Sequence, residues 1–233
     1  MEYYKFKSLN IKNGFFYKPY NFGTSLDNTD FSNNINMVIN ELDIKKISMV
    51  LQKHTDIIKK VTLENCDDII EADGMVTNIP NIGLGTKVAD CQAILLYDPI
   101  KKVIGNIHSG WRGTVKKIVG NAIKIMVNDY NCSLNDIKVC ICPSIMQDHF
   151  EVDEDVYDLF KNSFSNIDKY TIYKEETKKY YIDTLLLNKD YLISLGIKDD
   201  NIELSNICTM CDNKFYSYRY DKTTGRNLAV IAL

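Results

Sequence analysis

Three side chains in this sequence have the chemistry of one metal site: His54, Cys91 and His108. His54 ends the run Ile47-Ser-Met-Val-Leu-Gln-Lys-His54, which reads as a strand. Cys91 lies in Lys87-Val-Ala-Asp-Cys91-Gln-Ala-Ile-Leu-Leu, at the start of an apolar strand. His108 opens His108-Ser-Gly-Trp-Arg-Gly113, just before a helix. Two imidazoles and one thiolate leave a tetrahedral metal with an open position, the pattern of catalytic rather than structural zinc. The chain has only 3 His, so the site would use two of them. Taken singly, each residue also reads as an ordinary core His or core thiol. No short spacing such as HExxH joins them. What joins them is a hairpin of residues 92–97 and 103–108, which sets Cys91 beside His108 at one end of a sheet. His54 is expected to arrive at the same edge. Asp73 and Asp90 are the carboxylates expected nearby, because a ligating imidazole commonly donates its second N–H to such a group.

The loop Ser109-Gly-Trp-Arg-Gly113 is the second chemical feature. Free N–H groups at a helix start favour an anion, and Arg112 adds a bidentate donor. The plainer reading is a tight turn with Trp111 as an apolar anchor, and the two are compatible. Arg219, in Tyr218-Arg219-Tyr220, is either a phosphate ligand or half of a buried ion pair. Cys208-Thr-Met-Cys211 is a CxxC without a second ligand pair, so it is read as structural thiols. Cys140 and Cys142 are placed on opposite faces of one strand, with one in the core. His149 is read as a surface residue or as support for a ligand.

The elements that must position these residues follow from periodicity. Residues 1–29 read as one or two strands and a polar loop, with Gly14 and Gly23 as turns. Phe31, Ile35, Val38, Ile39 and Leu42 make a helical stripe over 30–42. Strands are expected at 47–54, 57–62, 92–97, 103–107, 137–141, 202–208, 215–219 and 227–233, and a turn at Asp73-Gly74 enters a further short one. Asp98-Pro99 turns the central hairpin. Apolar residues at 115, 118, 119, 122, 123 and 126 predict one helix after the glycine-rich loop. Val156, Leu159, Phe160 and Phe164 mark another. Asp183 caps a last helix through Leu195, with Gly196 as its stop. Strands outnumber helices and are expected to pair mostly as local hairpins, which makes the class α/β with a mixed, largely antiparallel sheet.

Composition sets the bounds. The 233 residues carry 45% hydrophobic and 25% charged side chains and a formal net charge of -3. No linker or repeat divides them, so 1–233 is read as one domain. The absence of a basic excess argues against nucleic acid as partner. No apolar run reaches the roughly 18 residues of a membrane span, and Met1-Glu-Tyr-Tyr-Lys-Phe-Lys7 has no signal-peptide core. A cytoplasmic location is expected, with the 7 Cys as thiols or ligands. No GxGxxG or P-loop sequence occurs.

Several segments occur together in a telling order: Ala72-Asp-Gly-Met-Val-Thr77, Ala89-Asp-Cys91, His108-Ser-Gly-Trp-Arg-Gly113, Phe150-Glu-Val152, Cys208 with Ser217-Tyr-Arg219, and Thr224-Gly-Arg226. From about residue 47 onward the chain resembles the YfiH-like family, long labelled a multicopper polyphenol oxidase or laccase domain and associated with purine nucleoside phosphorylase activity. The resemblance implies a single layered α/β/β/α domain. It implies His54, Cys91 and His108 as metal ligands. It also implies phosphorolysis of adenosine, inosine and methylthioadenosine, with adenosine deamination. On that reading zinc is the metal, with copper possible, and the partners are purine nucleosides and inorganic phosphate. Asp73 or Asp90 shuttles a proton, while Arg112 and Arg219 hold phosphate. The chain departs from the family pattern at Gln52-Lys-His54-Thr55, where Gly usually follows the His. It departs again at Cys142-Pro-Ser-Ile-Met146, where the family often has Gly at both ends. Other readings remain open. They are a copper-dependent polyphenol oxidase, an amidase using Cys91 with His108 as base, and a non-catalytic, metal-stabilised binding module. An open metal position in a pocket separates an enzyme from a closed four-ligand module.

Overall fold

Strands buried on both faces read in sequence as continuous apolar runs, and Gln92–Asp98 and Val103–Ser109 are such strands. The computed structural model describes residues 1–23, 30–222 and 225–233. In chain order its strands begin with β1 (Tyr3–Tyr4), β2 (Lys12–Phe16), β3 (Lys46–Ser48), β4 (Ile58–Lys60), β5 (Gly74–Thr77), β6 (Ile82–Val88) and β7 (Gln92–Asp98). They continue with β8 (Val103–Ser109), β9 (Lys138–Ile141), β10 (Glu151–Val152), β11 (Thr171–Lys174), β12 (Lys179–Ile182), β13 (Ile202–Leu204) and β14 (Asn227–Ala232). The helices are α1 (Phe31–Leu42), α2 (Trp111–Val115), α3 (Ile118–Tyr130), α4 (Glu154–Ser163) and α5 (Thr184–Ser194). One sheet has the order β1-β2-β14-β6-β3, a second β13-β9-β7-β8-β5-β4, and a small third β10-β12-β11.

Alternation along the strands builds the layers. Phe15, Leu84, Ala229 and Ile231 of the first sheet meet Met75, Ala93, Leu95 and Ile104 of the second in a shared core. The opposite face of the second sheet, with Ile94, Leu96, Ile107 and Val139, packs on Ile118, Ala122 and Met126 of α3 and on Leu185 and Leu192 of α5. The outer face of the first sheet, with Phe16, Leu228 and Val230, packs on Val38 and Leu42 of α1. The order is therefore helix, sheet, sheet, helix, as the resemblance implies. Each fully buried Ile or Leu contributes about 1.5–3 kcal/mol, so these faces dominate the stability. One polar residue crosses between the sheets. The Asn106 amide donates to Leu84 O (2.7 Å) and Ala229 O (2.9 Å) and accepts from Thr86 Oγ1 (2.7 Å). Fully satisfied, it fixes the register of the two sheets without leaving an unpaired polar group.

Several expectations need correcting. Pairing is not mostly local: β14 lies between β2 and β6, and β13 runs parallel to β9. The strand expected over 47–54 ends at Ser48, and the chain then bends to His54 at φ 59°. The strand expected over 202–208 stops at Leu204, and 215–219 joins no sheet. The helix after the glycine-rich loop is two helices, because Lys117 takes a left-handed conformation (φ 59°) between α2 and α3. Gly14 is no turn. It sits inside β2, where a Cβ would lie 2.8 Å from Tyr3 and 2.9 Å from Phe16. Cys140 and Cys142 both lie in the core between the sheets, as residues two apart on a strand must. The hairpin β11–β12 escaped the reading of the sequence. The polar loop through 24–29 and Thr224 lie outside the described residues.

The cap at α5 holds as expected. The Asp183 side chain accepts from Leu186 N at 2.8 Å, and Gly196 ends the segment at φ 103°. Asp183→Ala is expected to cost about 1 kcal/mol, about 2–4 °C in Tm for a chain of this size. An unchanged thermal midpoint in calorimetry would show that packing alone holds this end.

Candidate active site

His54 is placed by its neighbours. Gln52 binds the end of β6 through a reciprocal pair, its amide donating to Lys87 O and accepting from Lys87 N, both at 2.8 Å. The next three residues wrap the carboxylate of Asp73, which precedes β5. Backbone N–H groups of Lys53, His54 and Thr55 donate to it at 3.2, 3.0 and 2.6 Å, and the Thr55 hydroxyl donates at 2.8 Å. Thr55, where the family usually has Gly, thus adds a donor to the turn. This grip holds His54 in its left-handed conformation, which a non-glycine residue adopts only at a cost.

Asp73 also accepts from His108 Nδ1 at 2.7 Å. That bond fixes the tautomer and leaves His108 Nε2 as the ligating atom. The hairpin register pairs Ala93 with His108 and Gln92 with Ser109, so Cys91 emerges beside His108 as the sequence implied. Cys91 Sγ lies 3.9 Å from His54 Nε2, the two imidazole rings meet edge to face with centroids 4.9 Å apart, and the three ligand atoms lie within 4.8 Å of one another. A tetrahedral zinc with bonds of about 2.0–2.3 Å needs donors roughly 3.3–3.8 Å apart, so this cluster fits a metal with small adjustments. Gly110 is the floor of the site. A Cβ there would meet His54 Cδ2 at 2.6 Å and Cys91 Sγ at 3.1 Å. Close approach, more than anion binding, explains this glycine, since the helix it precedes has only 5 residues.

The electrostatics agree with a ligand set. Burial pushes the Cys91 thiol up, but the imidazoles of His108 and His54 outweigh it and bring the group down to about 6. Burial opposes the charged form of His108, yet the Cys91 thiolate and the Asp73 carboxylate raise it to about 9. Burial also works against the Asp73 carboxylate, and the hydrogen bonds from His108 and Thr55 still hold it well below the usual carboxylate range. Without metal, the centre is a thiolate–imidazolium pair supported by a carboxylate.

His54, Cys91 and His108 line a cavity of about 910 Å³. Among the described residues, Lys87, Arg112, Arg219, Lys222 and Arg226 face it against the carboxylate of Asp90. Of these cations the sequence reading picked out Arg112 and Arg219 as binding residues. Arg226 belongs to the Thr224-Gly-Arg226 segment of the resemblance but was given no role, and Lys87 and Lys222 carried no signal, because their types are ordinary on any surface. Arg112 lies over the Trp111 ring at 4.2 Å. Arg219 pairs loosely with Glu151, NH1 to Oε1 at 3.4 Å, and its NH2 donates to Glu151 O at 3.2 Å. Arg219 therefore has an ion pair at the cavity rim, but not the buried one expected, since the Arg219 and Glu151 side chains keep 27% and 45% exposure. Asp90 (φ 84°) accepts from Thr209 Oγ1 at 2.8 Å and from Arg219 N at 2.6 Å, pinning the segment that carries Arg219. Asp73 is fully buried and does not line the cavity, so it positions His54 and His108 and has no path to a substrate proton. A buried polar chain, Thr184–Gln92–Asn188–Thr114–Ser109, runs within the wall, all but Asn188 lining the cavity, and was also not read from the sequence.

This fold and this site place the chain in a known class. It belongs to the family described as multi-copper polyphenol oxidoreductase laccase, matched over residues 12–233. A purine nucleoside phosphorylase of Bacteroides thetaiotaomicron is 36% identical over 163 residues, 69% of this chain and 60% of the relative, so the chain spans under two thirds of that protein. A purine nucleoside phosphorylase of Borreliella burgdorferi is 33% identical over 222 residues, 93% of this chain and 90% of its own. Adenosine deaminase RL5, from an unknown prokaryotic organism, is 32% identical over 148 residues, covering 63% of this chain and 56% of that protein. The crystal structure of Bacillus licheniformis YfiH matches with a TM-score of 0.88 at 27% identity, over 96% of this chain and 93% of that one. Among the described residues no helix is long and apolar enough to cross a membrane.

Proposed function

We propose that this chain is a zinc-dependent purine nucleoside phosphorylase acting on adenosine, inosine and methylthioadenosine, with adenosine deaminase activity. The observation that carries the reading is a His/Cys/His group at metal-ligand spacing lining the same cavity as five cationic side chains of the described residues. Two imidazoles and a thiolate suit zinc, and three protein ligands leave one position for chemistry. The same set would suit one copper. A multicopper oxidase needs further imidazoles for its other coppers, and His149 is the only other His in the chain. The nucleoside reading also draws on the names of the relatives.

Bound by His54, Cys91 and His108, zinc supplies Lewis acidity at the cavity floor. The protein does the rest. Asp73 keeps the His108 ring in one orientation and one tautomer. Of the two carboxylates considered for proton transfer, Asp90 lines the cavity and takes that role in deamination. In phosphorolysis Arg112 holds inorganic phosphate in a bidentate fork while a phosphate oxygen attacks C1′ of the ribose, the C1′–N9 bond breaks, and the purine leaves with a proton from solvent. Arg219 adds charge at the rim, and the remaining cations favour an anion throughout the approach. Trp111, Phe150 and Tyr218 in the wall offer faces for a purine.

Purified protein incubated with adenosine tests this directly. With phosphate, adenine and ribose 1-phosphate are expected; without it, inosine and ammonia. Absence of both product sets, from protein with a full metal complement, rejects the reading. Arg112→Lys is expected to raise the phosphate requirement about ten- to hundredfold, the equivalent of one lost charge-assisted bond of about 1.5–3 kcal/mol. Deamination needs no phosphate and is expected to change little. Equal loss of both activities would reduce Arg112 to a shaper of the loop.

A further inference from the structure

A second group of metal-ligating side chains lies outside the cavity. His149 Nε2 is 3.1 Å from Cys211 Sγ, and the donor atoms of His149, Cys208 and Cys211 lie within 4.8 Å of one another. None of the three lines the cavity. The CxxC lacked a partner by sequence spacing because the third donor comes from a segment about sixty residues earlier. We propose that His149, Cys208 and Cys211 form a second, structural zinc site.

Two thiolates and an imidazole are a known zinc set that leaves the fourth position to water, and thiolate ligands select zinc over magnesium, calcium or manganese. A CxxC supplies two donors at the spacing that zinc sites use. All seven Cys are free thiols, so Cys208 and Cys211 are available as ligands.

The place of the cluster gives it a task. From Ser205 to Arg226 the described residues form no strand or helix; the start of this stretch is tied to the second sheet by Ser205 N donating to Ile141 O and by an isolated bridge between Cys208 and Ser144. Loops of that length inside a packed protein are uncommon unless something fixes them. The stretch carries Tyr218 and Arg219 into the cavity wall, and the segment with His149 carries Phe150. A metal shared by the two segments staples these walls together, as ligand binding to a folded arrangement stabilises it. The loop that presents Arg219 then rests on the zinc as well as on Asp90. This assignment does not depend on the nucleoside reading.

Zinc counted by elemental analysis against protein concentration tests it, on untagged protein purified without chelator. The wild type is expected to carry two equivalents, the Cys208→Ser/Cys211→Ser protein one fewer, and the Cys91→Ala protein one fewer as well, with independent losses. His149→Ala, which keeps both thiols, is expected to weaken retention of the second equivalent on dialysis. The unmodified protein supplies a measurement free of folding artefacts. Cys211 is exposed, so burial cannot shield it from iodoacetamide. Peptide mapping is expected to show Cys208 and Cys211 protected in the zinc-loaded protein and alkylated after chelation. A single equivalent in the wild type, equal alkylation of Cys211 before and after chelation, or a Cys208–Cys211 disulfide in freshly purified protein would each overturn the proposal.

Discussion

Asp73→Ala is expected to destabilise the metal-free protein by about 3–5 kcal/mol, the cost of removing one partner from a buried charged pair. The carboxylate is fully buried and accepts from three backbone N–H groups, one hydroxyl and one imidazole. Each buried donor left without a partner costs about 1–3 kcal/mol, partly recovered by relaxation of the exposed side of the turn. Asp73→Asn keeps one acceptor oxygen and is expected to lose less. Urea denaturation followed by circular dichroism gives the difference, and a loss under about 1 kcal/mol would mean that the turn at His54 stands without the carboxylate. The acid dependence has a definite sign. The folded carboxyl lies below its unfolded value of about 3.9, so its contribution is complete above that value and disappears as pH falls below it. The variant is expected to lose that part of the acid sensitivity. Metal retention should fall as well, since orienting carboxylates of this kind typically affect affinity about 10–100-fold.

Cys91→Ala is expected to remove the cavity metal entirely and, with it, both activities. Elemental analysis reads the lost equivalent, and retention of wild-type zinc would move the site elsewhere. Proton linkage gives a sharper reading. In the metal-free protein His108 holds its proton up to about 9, and Cys91 is already a thiolate above about 6. Metal uptake must displace the His108 proton between those values, so affinity rises with pH across that window. Below about 6 the Cys91 proton is released as well, and the dependence steepens. Calorimetry in buffers of different ionisation enthalpy measures the released protons. The difference between wild type and Cys91→Ala isolates this site, and a pH-independent difference would show that the thiolate–imidazolium pair is absent.

Much of this centre was legible in the chain because local rules wrote it. The Asp98-Pro99 turn between two apolar runs fixed the β7–β8 hairpin, and the hairpin brought Cys91 to His108. Alternation placed the shared core, and Asp183 with Gly196 bounded α5. What escaped depended on distant partners. His54 reads as the end of a strand because nothing local shows that Asp73 will bend the chain around its own carboxylate. Residues 215–219 have the composition of a strand, yet Asp90 holds Arg219 N where a neighbouring strand would have been. His149 and the CxxC become neighbours only after β9 and β13 have paired and their following segments fold back. Gly110 looked like anion-loop chemistry, and only the tertiary approach of His54 shows that the space itself is needed.

The position of β14 has a consequence for the order of assembly. It fills the gap between β2 and β6, so the first sheet stays split until a segment about 140 residues downstream of β6 has been synthesised. Pairings at such separation close slowly, and the unpaired edges of β2 and β6 are open to wrong partners meanwhile. The turn bearing His54 hangs from the end of β6 through Gln52, so it too waits for that closure. Metal capture in the cavity is therefore a late event of folding. During refolding, the appearance of metal-bound protein should track completion of the first sheet rather than formation of the β7–β8 hairpin that carries two of its three ligands.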